Sequence, residues 1–433
     1  MRYPDYIEAP FEFPPVHRVR MNPPRSPLTD VSSAVKAALA SVWAESGIRP
    51  GDRVAVGVGS RGITRLPEMV RALCEGLRDG GARPFILPAM GSHGGATAEG
   101  QEQVLARLGV TQAACGAPVR PSMAAVRIGT AFESVPVYFS ETALNADHSI
   151  CINRIKPHTK FKAPLESGIF KMLCIGMGKH EGALAYHRHA LRHGFYPLLR
   201  AIGEAVMARS NFRFGIAVVE DARDDPIRIE GLPISGMLQR ERELLRLAVG
   251  RMARLPFESA DVLVIGRIGK EISGAGMDPN ITGRAVDLRE DDFSGCFSAS
   301  RIAVLSLSAK TAGNAVGVGN ADIITERVFR EIDYEATVMN ALTGISLHKA
   351  NIPVRLPSDE KAVQACFTTI GPVPPTSVRA VFIRDTRHLT EFWATPPLIE
   401  GLEGGPETEV GPPTDLRFDD EGNLIDPPIR EGN

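Results

Sequence analysis

The sequence lacks the features that mark several classes of protein. Its six cysteines lie far apart and form no Cys-x-x-Cys pair, which argues against a zinc or iron–sulfur framework and favours free thiols in a reducing compartment. No apolar run approaches the roughly 18 residues that a membrane-spanning helix needs. The first residues, MRYPDYIEAPFEFPP, carry acidic residues and prolines where a signal peptide would carry basic residues and an apolar core. We therefore expect a cytoplasmic protein.

An excess of charge of either sign is also missing. The chain has 49 Lys and Arg against 51 Asp and Glu, a net charge of -2, which gives no electrostatic reason to expect nucleic acid or a membrane as partner. A hydrophobic content of 43% with 23% charged residues is ordinary for a globular protein, and 433 residues exceed one compact core. The composition favours a small-molecule ligand.

Continuous apolar strands alternate with helical patterns from about residue 50 onward. This alternation predicts an α/β fold: two α/β domains with mostly parallel sheets and an active-site cleft between them. The polar helix predicted at residues 237–252 is placed at the domain boundary. The predicted parts are an N-terminal extension (1–49), an N-terminal α/β domain (50–250), a C-terminal α/β domain that closes the cleft (251–400) and an acidic tail rich in glycine and proline (401–433).

Histidines are unevenly distributed. Five of the ten lie between His158 and His193. Because histidine titrates near neutrality and binds transition metals through a neutral ring nitrogen, this cluster indicates acid–base chemistry or a metal. A solvated polar helix face is the alternative for His180, His189 and His193. His158 is different, because it follows a buried strand at the end where open α/β sheets bind ligands.

Two further loops follow buried strands. In GSHGG, Gly91 and Gly94 let the backbone approach a ligand closely and expose the ring of His93, although such histidines also occur in ordinary turns. In GSRGITRLP, Arg61 and Arg65 lie beside a predicted helix N-terminus, where an arginine can hold a carboxylate or phosphate with two hydrogen bonds.

A lysine stands inside an apolar run in ESGIFKMLCIGMG. Burying the Lys171 ammonium is unfavourable unless it is paired or chemically modified. A covalent cofactor or Schiff base on Lys171 is one explanation, and an ion pair with Glu166 is the other.

Taken in order, the motifs TR-P, G-x-H, P-H and S-G-x-x-K followed by a further histidine resemble the nickel-dependent lactate racemase family over about residues 50–370. The resemblance implies a nickel-pincer nucleotide, a pyridinium bis-thiocarboxylate mononucleotide, that is attached to Lys171. We expect Gly91, Gly94 and Gly168 to bind this cofactor as well. It further implies His93 and His158 as paired acid–base residues, His187 as the nickel ligand with His189 in reserve, and Arg65 at the substrate carboxylate. Gly62 stands where these racemases usually have an acidic residue, and only Lys270 in GKEISGAGMDPN matches their second-domain pattern. These departures indicate a divergent isomerase branch.

This resemblance predicts a racemase or epimerase of a 2-hydroxy acid that works by hydride abstraction and return, supplied with its cofactor by cofactor-biosynthesis proteins. One histidine is enough to complete such a nickel site, because soft donors of the cofactor supply the other ligands. Two alternatives remain at this point: a Schiff-base lyase or aldolase that uses Lys171, and a non-catalytic metal-binding protein whose histidine-rich helix holds nickel or zinc.

Overall fold

The computed structural model describes residues 2–285, 293, 295–400, 402 and 407–430. Contacts divide the chain into a central unit, Arg25–Met252, and a terminal unit formed by Met1–Pro24 and Ala253–Asn433. Each unit contains a mostly parallel sheet with helices, so the predicted α/β fold class is confirmed. The predicted tail, residues 401–433, lies in part outside the described residues.

The strands are numbered in chain order. They are β1 (Val16–Met21), β2 (Arg53–Val58), β3 (Arg83–Pro88), β4 (Ala125–Ala131), β5 (Val135–Ser140), β6 (His148–Arg154), β7 (Phe212–Glu220), β8 (Pro226–Pro233), β9 (Ser259–Ile265), β10 (Ser298–Val304), β11 (Ile323–Thr325), β12 (Val354–Leu356), β13 (Ala380–Ile383), β14 (Glu391–Ala394), β15 (Thr408–Thr414), β16 (Arg417–Phe418) and β17 (Leu424–Asp426).

The α-helices are numbered in the same way. They are α1 (Asp5–Glu8), α2 (Val31–Ser46), α3 (Leu66–Asp79), α4 (Ala98–Arg107), α5 (Gln112–Cys115), α6 (Glu141–Leu144), α7 (Ile169–Lys171), α8 (Lys179–His193), α9 (Phe195–Arg209), α10 (Met237–Arg251), α11 (Pro279–Thr282), α12 (Glu326–Glu331), α13 (Tyr334–Thr343), α14 (Asp359–Thr368) and α15 (Pro396–Ile399).

The central unit is built on a sheet of order β3-β2-β6-β7-β8, in which only β8 runs antiparallel to its neighbour. The chain leaves β2 toward β3 on one side, and β6 lies on the other side of β2. This reversal opens a crevice between the carboxyl ends of β2 and β6, the place where open α/β sheets bind ligands. Part of the predicted N-terminal extension belongs to the core of this unit. Val31, Val35 and Leu39 recur at helical spacing and bury one face of α2 there.

The terminal unit is built on a sheet of order β12-β11-β10-β9-β13-β14-β1-β15. Strands β9 to β13 are parallel, whereas β14, β1 and β15 pair antiparallel. The strand Val16–Met21, from the predicted extension, pairs with Thr408–Thr414, from the predicted tail. The tail therefore needs no core of its own, because it adds an edge strand to this sheet.

No helix in the described part of the chain is long and apolar enough to cross a membrane.

Candidate active site

The crevice between β2 and β6 gathers residues from three segments of the central unit. The loop after β2 carries Arg61, and the loop after β6 carries Lys156 and His158. The third segment is α7, which ends at Lys171. Asn153, near the end of β6, donates a hydrogen bond of 3.0 Å to the carbonyl oxygen of Gly168 and so ties the second segment to the third.

Lys171 is a half-buried amine at the junction of α7 and a π-helical turn, Met172–Gly176. Burial, and then the positive charges of Arg61 and Lys156, lower its pKa to about 7. Among the described residues Lys171 has no carboxylate partner, so the ion pair with Glu166 offered as an alternative is not formed. At neutral pH a large share of the amine is therefore unprotonated and able to act as a nucleophile. Single π-helical turns are frequent at functional sites.

The two arginines of the loop after β2 differ in their surroundings. Arg65 has a left-handed backbone conformation (φ 62°) and its guanidinium bonds Glu68, at 2.7 and 2.8 Å, and the carbonyl oxygens of Leu28 and Thr29. These contacts occupy the Arg65 guanidinium, and Arg65 is not among the charges that shift the pKa of Lys171. The guanidinium that acts on Lys171 is that of Arg61, which has no carboxylate partner in the part of the chain that the structure describes.

Arg61 also has an unusual electrostatic environment. Desolvation by the surrounding protein, and then the charge of Arg154, lower its pKa, although Arg61 is an exposed residue. Arg154 itself is neutralised by an ion pair with Glu220. An unneutralised guanidinium near an amine attracts anions, so this part of the crevice suits a carboxylate or a phosphate.

His158 is held by its own loop. Its ring Nδ1 accepts a 3.1 Å hydrogen bond from the backbone N–H of Lys160, and its ring stacks on Phe161 with centroids 4.6 Å apart. Its backbone N–H donates to Glu166 at 2.5 Å. Because Nδ1 is an acceptor, a neutral His158 carries its proton on Nε2. Nε2 is then the ring nitrogen of His158 that can donate a hydrogen bond.

His93 is tied to the loop after β2. Its Nδ1 lies 2.5 Å from the hydroxyl oxygen of Ser60, the residue before Arg61, and the ring is solvent-exposed. The Ser60 hydroxyl can donate or accept, so it allows either tautomer of His93. The loop is fixed by Gln101, whose side-chain nitrogen donates 2.8 Å to the carbonyl oxygen of Gly91.

His187 is a half-buried residue of α8. Burial, and then the charges of Lys160 and Lys171, lower its pKa to about 4, so the ring is neutral near pH 7. Its Nδ1 is buried and has no hydrogen-bond partner among the described residues. His189 differs, because its Nδ1 bonds the carbonyl oxygen of Ala185 at 2.9 Å. A neutral, unpaired ring nitrogen near Lys171 is suited to ligate one metal ion.

The described residues contain no group of three or more His, Cys, Asp or Glu side chains that could hold a metal ion. The ring atoms His180 Nδ1 and His193 Nε2 are buried without partners too. The spacing of these side chains therefore gives no support to the alternative of a multi-histidine metal store on α8.

The three glycines assigned to cofactor binding each have a packing role within the chain. Gly91 and Gly94 have positive φ angles, and a Cβ on Gly94 would lie 2.5 Å from the carbonyl carbon of Gly100. A Cβ on Gly168 would lie 2.2 Å from the Oε1 of Glu241. Their contact with a cofactor stays a prediction.

Lys270 belongs to the terminal unit, in the loop after β9, where its backbone N–H bonds the Thr311 hydroxyl at 3.3 Å. The terminal unit also contains an ion-pair cluster, around a buried aspartate, that sequence reasoning missed. Asp385 accepts a hydrogen bond from His388 Nδ1 at 2.7 Å and forms an ion pair with Arg267. The signal was an aspartate three residues before a histidine, just after strand β13.

Glu241 is another residue that sequence reasoning missed. It is 1% exposed, and its Oε2 accepts the backbone N–H groups of Ile169 and Phe170 at 3.1 and 3.2 Å. The signal was its place in MLQRERELLRLAVGR: Met237, Glu241 and Leu244 fall on the same face of α10.

Comparisons with known proteins give a fold-level likeness. A family model described as a domain of unknown function (DUF362) matches residues 57–235, less than half of the chain. No curated protein matches the sequence. A protein of solved structure from Thermotoga maritima is similar at 14% identity over 75% of this chain and 83% of its own, with a TM-score of 0.49. The lactate racemase apoprotein from Thermoanaerobacterium thermosaccharolyticum is similar at 13% identity over 82% of this chain and 95% of its own, with a TM-score of 0.44. Function must therefore be argued from the site.

Proposed function

We propose that this chain is an isomerase that inverts the carbon of a 2-hydroxy acid with a nickel-pincer nucleotide attached to Lys171. The observation that carries the proposal is a pair of side chains in the central unit. Lys171 offers an amine whose pKa is about 7. His187, whose pKa the charge of Lys171 helps to lower, offers a buried ring nitrogen that has no hydrogen-bond partner among the described residues.

The residues present fit the cofactor. Attachment requires a neutral amine, and the positive charges of Arg61 and Lys156 help to keep Lys171 unprotonated. Nickel ligation requires a neutral imidazole, and burial keeps the proton off His187. His189 is the poorer ligand because its Nδ1 is already engaged.

When bound, the cofactor would supply an electron-poor ring able to accept a hydride from the substrate carbon. The chain's own residues would bind the substrate and handle its proton. We assign the substrate carboxylate to Arg61, since the guanidinium of Arg65, which the sequence favoured, is taken up by Glu68. A substrate-binding role for Lys270, in the terminal unit, stays a prediction.

The two histidines receive different tasks. Because the Lys160 N–H holds Nδ1 of His158 as an acceptor, His158 would donate from Nε2 to the substrate oxygen and stabilise negative charge there. His93, whose tautomer the Ser60 hydroxyl can set either way, would take the hydroxyl proton and return it. This division refines the prediction of two equivalent acid–base residues.

The test is to produce the protein together with cofactor-biosynthesis proteins and to measure intact mass and nickel content. We expect one mass adduct and about one nickel per chain, consistent with a single protein ligand. Lys171→Ala should lose both, His187→Ala should keep the adduct and lose nickel, and His189→Ala should keep both. An adduct that survives in Lys171→Ala would overturn the assignment.

Activity is measured separately on single enantiomers of 2-hydroxy acids that carry deuterium at the reacting carbon. The opposite enantiomer should form with the deuterium retained, as hydride return requires, and Arg61→Ala should lose more activity than Arg65→Ala. Washout of deuterium into water would contradict hydride return.

A Schiff-base lyase is the second candidate, because an amine of pKa about 7 also suits imine formation. Borohydride reduction with 2-oxo acids distinguishes it, since a lyase would gain a stable adduct on Lys171 in protein made without the biosynthesis partners.

A further inference from the structure

The backbone just before Lys171, at the start of α7, is hydrogen-bonded to a buried acidic side chain. Glu241, on α10, reaches the start of α7, where the first backbone N–H groups of a helical segment have no partner within the segment. Its Oε2 accepts both Ile169 N–H and Phe170 N–H, at 3.1 and 3.2 Å. Lys171 is the next residue.

No lysine, arginine or histidine forms an ion pair with Glu241 in the described part of the chain. A buried carboxyl group without a cation is unfavourable unless hydrogen bonds replace the lost water. Here the N–H groups of Ile169 and Phe170 replace the water that the carboxyl group has lost. Accordingly, burial raises the pKa of Glu241 to about 8, while these two hydrogen bonds act to lower it.

The neighbouring residues are shaped around this contact. Gly168 leaves room for the carboxyl group, since a Cβ there would lie 2.2 Å from Oε1. Asn153 holds the other side of the same residue by its 3.0 Å hydrogen bond to the Gly168 carbonyl oxygen. The charge of Glu241 is also felt by two buried thiols: burial, and then Glu241, raise the pKa of both Cys151 and Cys174.

We propose that Glu241 is a positioning residue, which fixes Lys171 in its desolvated place by accepting the two backbone N–H groups that precede it. The proposal rests on the proposed function only in one respect: that function explains why Lys171 must present a neutral amine. Without Glu241, two buried N–H groups would seek water, the turn would loosen, and the Lys171 amine would regain solvent.

The experiment measures the pKa of Lys171 in the protein without cofactor, from the pH dependence of trace acetylation followed by peptide mass spectrometry. Glu241→Leu removes the acceptor and should raise the pKa of Lys171 by about one unit or more, because solvation favours the ammonium. Glu241→Gln keeps an acceptor oxygen and should leave the value within about 0.3 of the parent. Glu243→Leu, two residues along the same helix and with a side chain 39% exposed, is the matched control and should have no effect.

Should Glu241→Leu fail to fold, Glu241→Asp takes its place: it keeps the carboxylate, is one methylene shorter and cannot reach both N–H groups. An unchanged Lys171 pKa in either folded variant would overturn the proposal. Because acetylation of the free amine needs no cofactor, the result is independent of whether the nickel-pincer nucleotide binds. A raised pKa in Glu241→Leu together with no cofactor adduct in the parent protein would uphold Glu241 and reject the proposed function.

Discussion

Two lysines stand on either side of the same π-helical turn, and their surroundings differ. Lys171 precedes the turn, is half-buried and lies near Arg61 and Lys156. Lys179 follows the turn, is fully buried with a left-handed backbone (φ 58°), and donates a 2.5 Å hydrogen bond to the carbonyl oxygen of Pro88 at the end of β3. Both have a pKa lowered to about 7, by burial and two cations at Lys171 and by burial alone at Lys179.

The difference shows that a lowered pKa does not by itself identify a reactive lysine. An amine must also be reachable, and its neighbours must leave its lone pair unused. Lys171 meets both conditions, while Lys179 is enclosed and holds the strand that leads to the His93 loop. Lys171 is therefore the lysine that we propose for chemistry, whereas the contacts of Lys179 are structural.

The largest expected effect is on chemical reactivity. In trace acetylation at pH 8, Lys171 should react at least about a hundredfold faster than Lys179, because Lys179 is reached only by local opening that costs several kcal/mol. Peptide mass spectrometry gives both rates from one sample, with exposed Lys36 as the internal reference. Equal rates would remove the distinction between the two lysines.

A stability measurement sharpens the same contrast. Between pH 7 and 10.5 the unfolded chain carries a proton on Lys179 and the folded protein does not, so the folded state gains about 1.4 kcal/mol per pH unit as pH rises. Below pH 7 both states are protonated and the gain is absent. We expect Lys179→Met to stabilise the protein by about 2 kcal/mol at pH 7, where the ionisation penalty exceeds the lost hydrogen bond.

Near pH 10 the order should reverse, and Lys179→Met should be less stable than the parent by about 1 kcal/mol, since only the bond to Pro88 is then lost. Lys171→Met should show no reversal, because Lys171 has no hydrogen bond to lose among the described residues. Urea unfolding in a Trp393→Phe background reports the central unit alone, as Trp43 is then the sole tryptophan. A Lys179→Met curve that never crosses the parent would contradict the structural role.

The longer parallel strands of both sheets could be predicted from the sequence, because parallel strands covered on both faces appear as unbroken apolar runs. RVAVGVG, FRFGIAVVE and ADVLVIGRIG correspond closely to Arg53–Val58, Phe212–Glu220 and Ser259–Ile265. The helix predicted at 237–252 is observed at Met237–Arg251. By contrast, the pairing of Val16–Met21 with Thr408–Thr414 joins segments almost 400 residues apart, and no local pattern encodes such pairing.

The site could be predicted only in part. Residue types and spacing marked Lys171 and the histidines, but which arginine serves the crevice depends on the left-handed turn at Arg65 and on Glu68 capturing its guanidinium. A positive φ at a residue other than glycine has no clear sequence signal. The sequence places Glu241 on the buried face of α10 but does not show its partners, because the two N–H groups that it binds lie 72 and 71 residues earlier in the chain.

The smallest expected effect tests that choice of arginine. Arg61→Ala removes a positive charge that disfavours the ammonium form of Lys171, so the pKa of Lys171 should rise, by less than about one unit because burial is the larger cause. Arg65→Ala should leave it unchanged, and the reactivity of Lys179 should respond to neither variant. The pH dependence of acetylation measures the shift, and a larger shift in Arg65→Ala than in Arg61→Ala would return the role of anion-binding residue to Arg65. Because Arg61 is exposed, added salt should diminish the effect, whereas it should leave the contribution of burial unchanged.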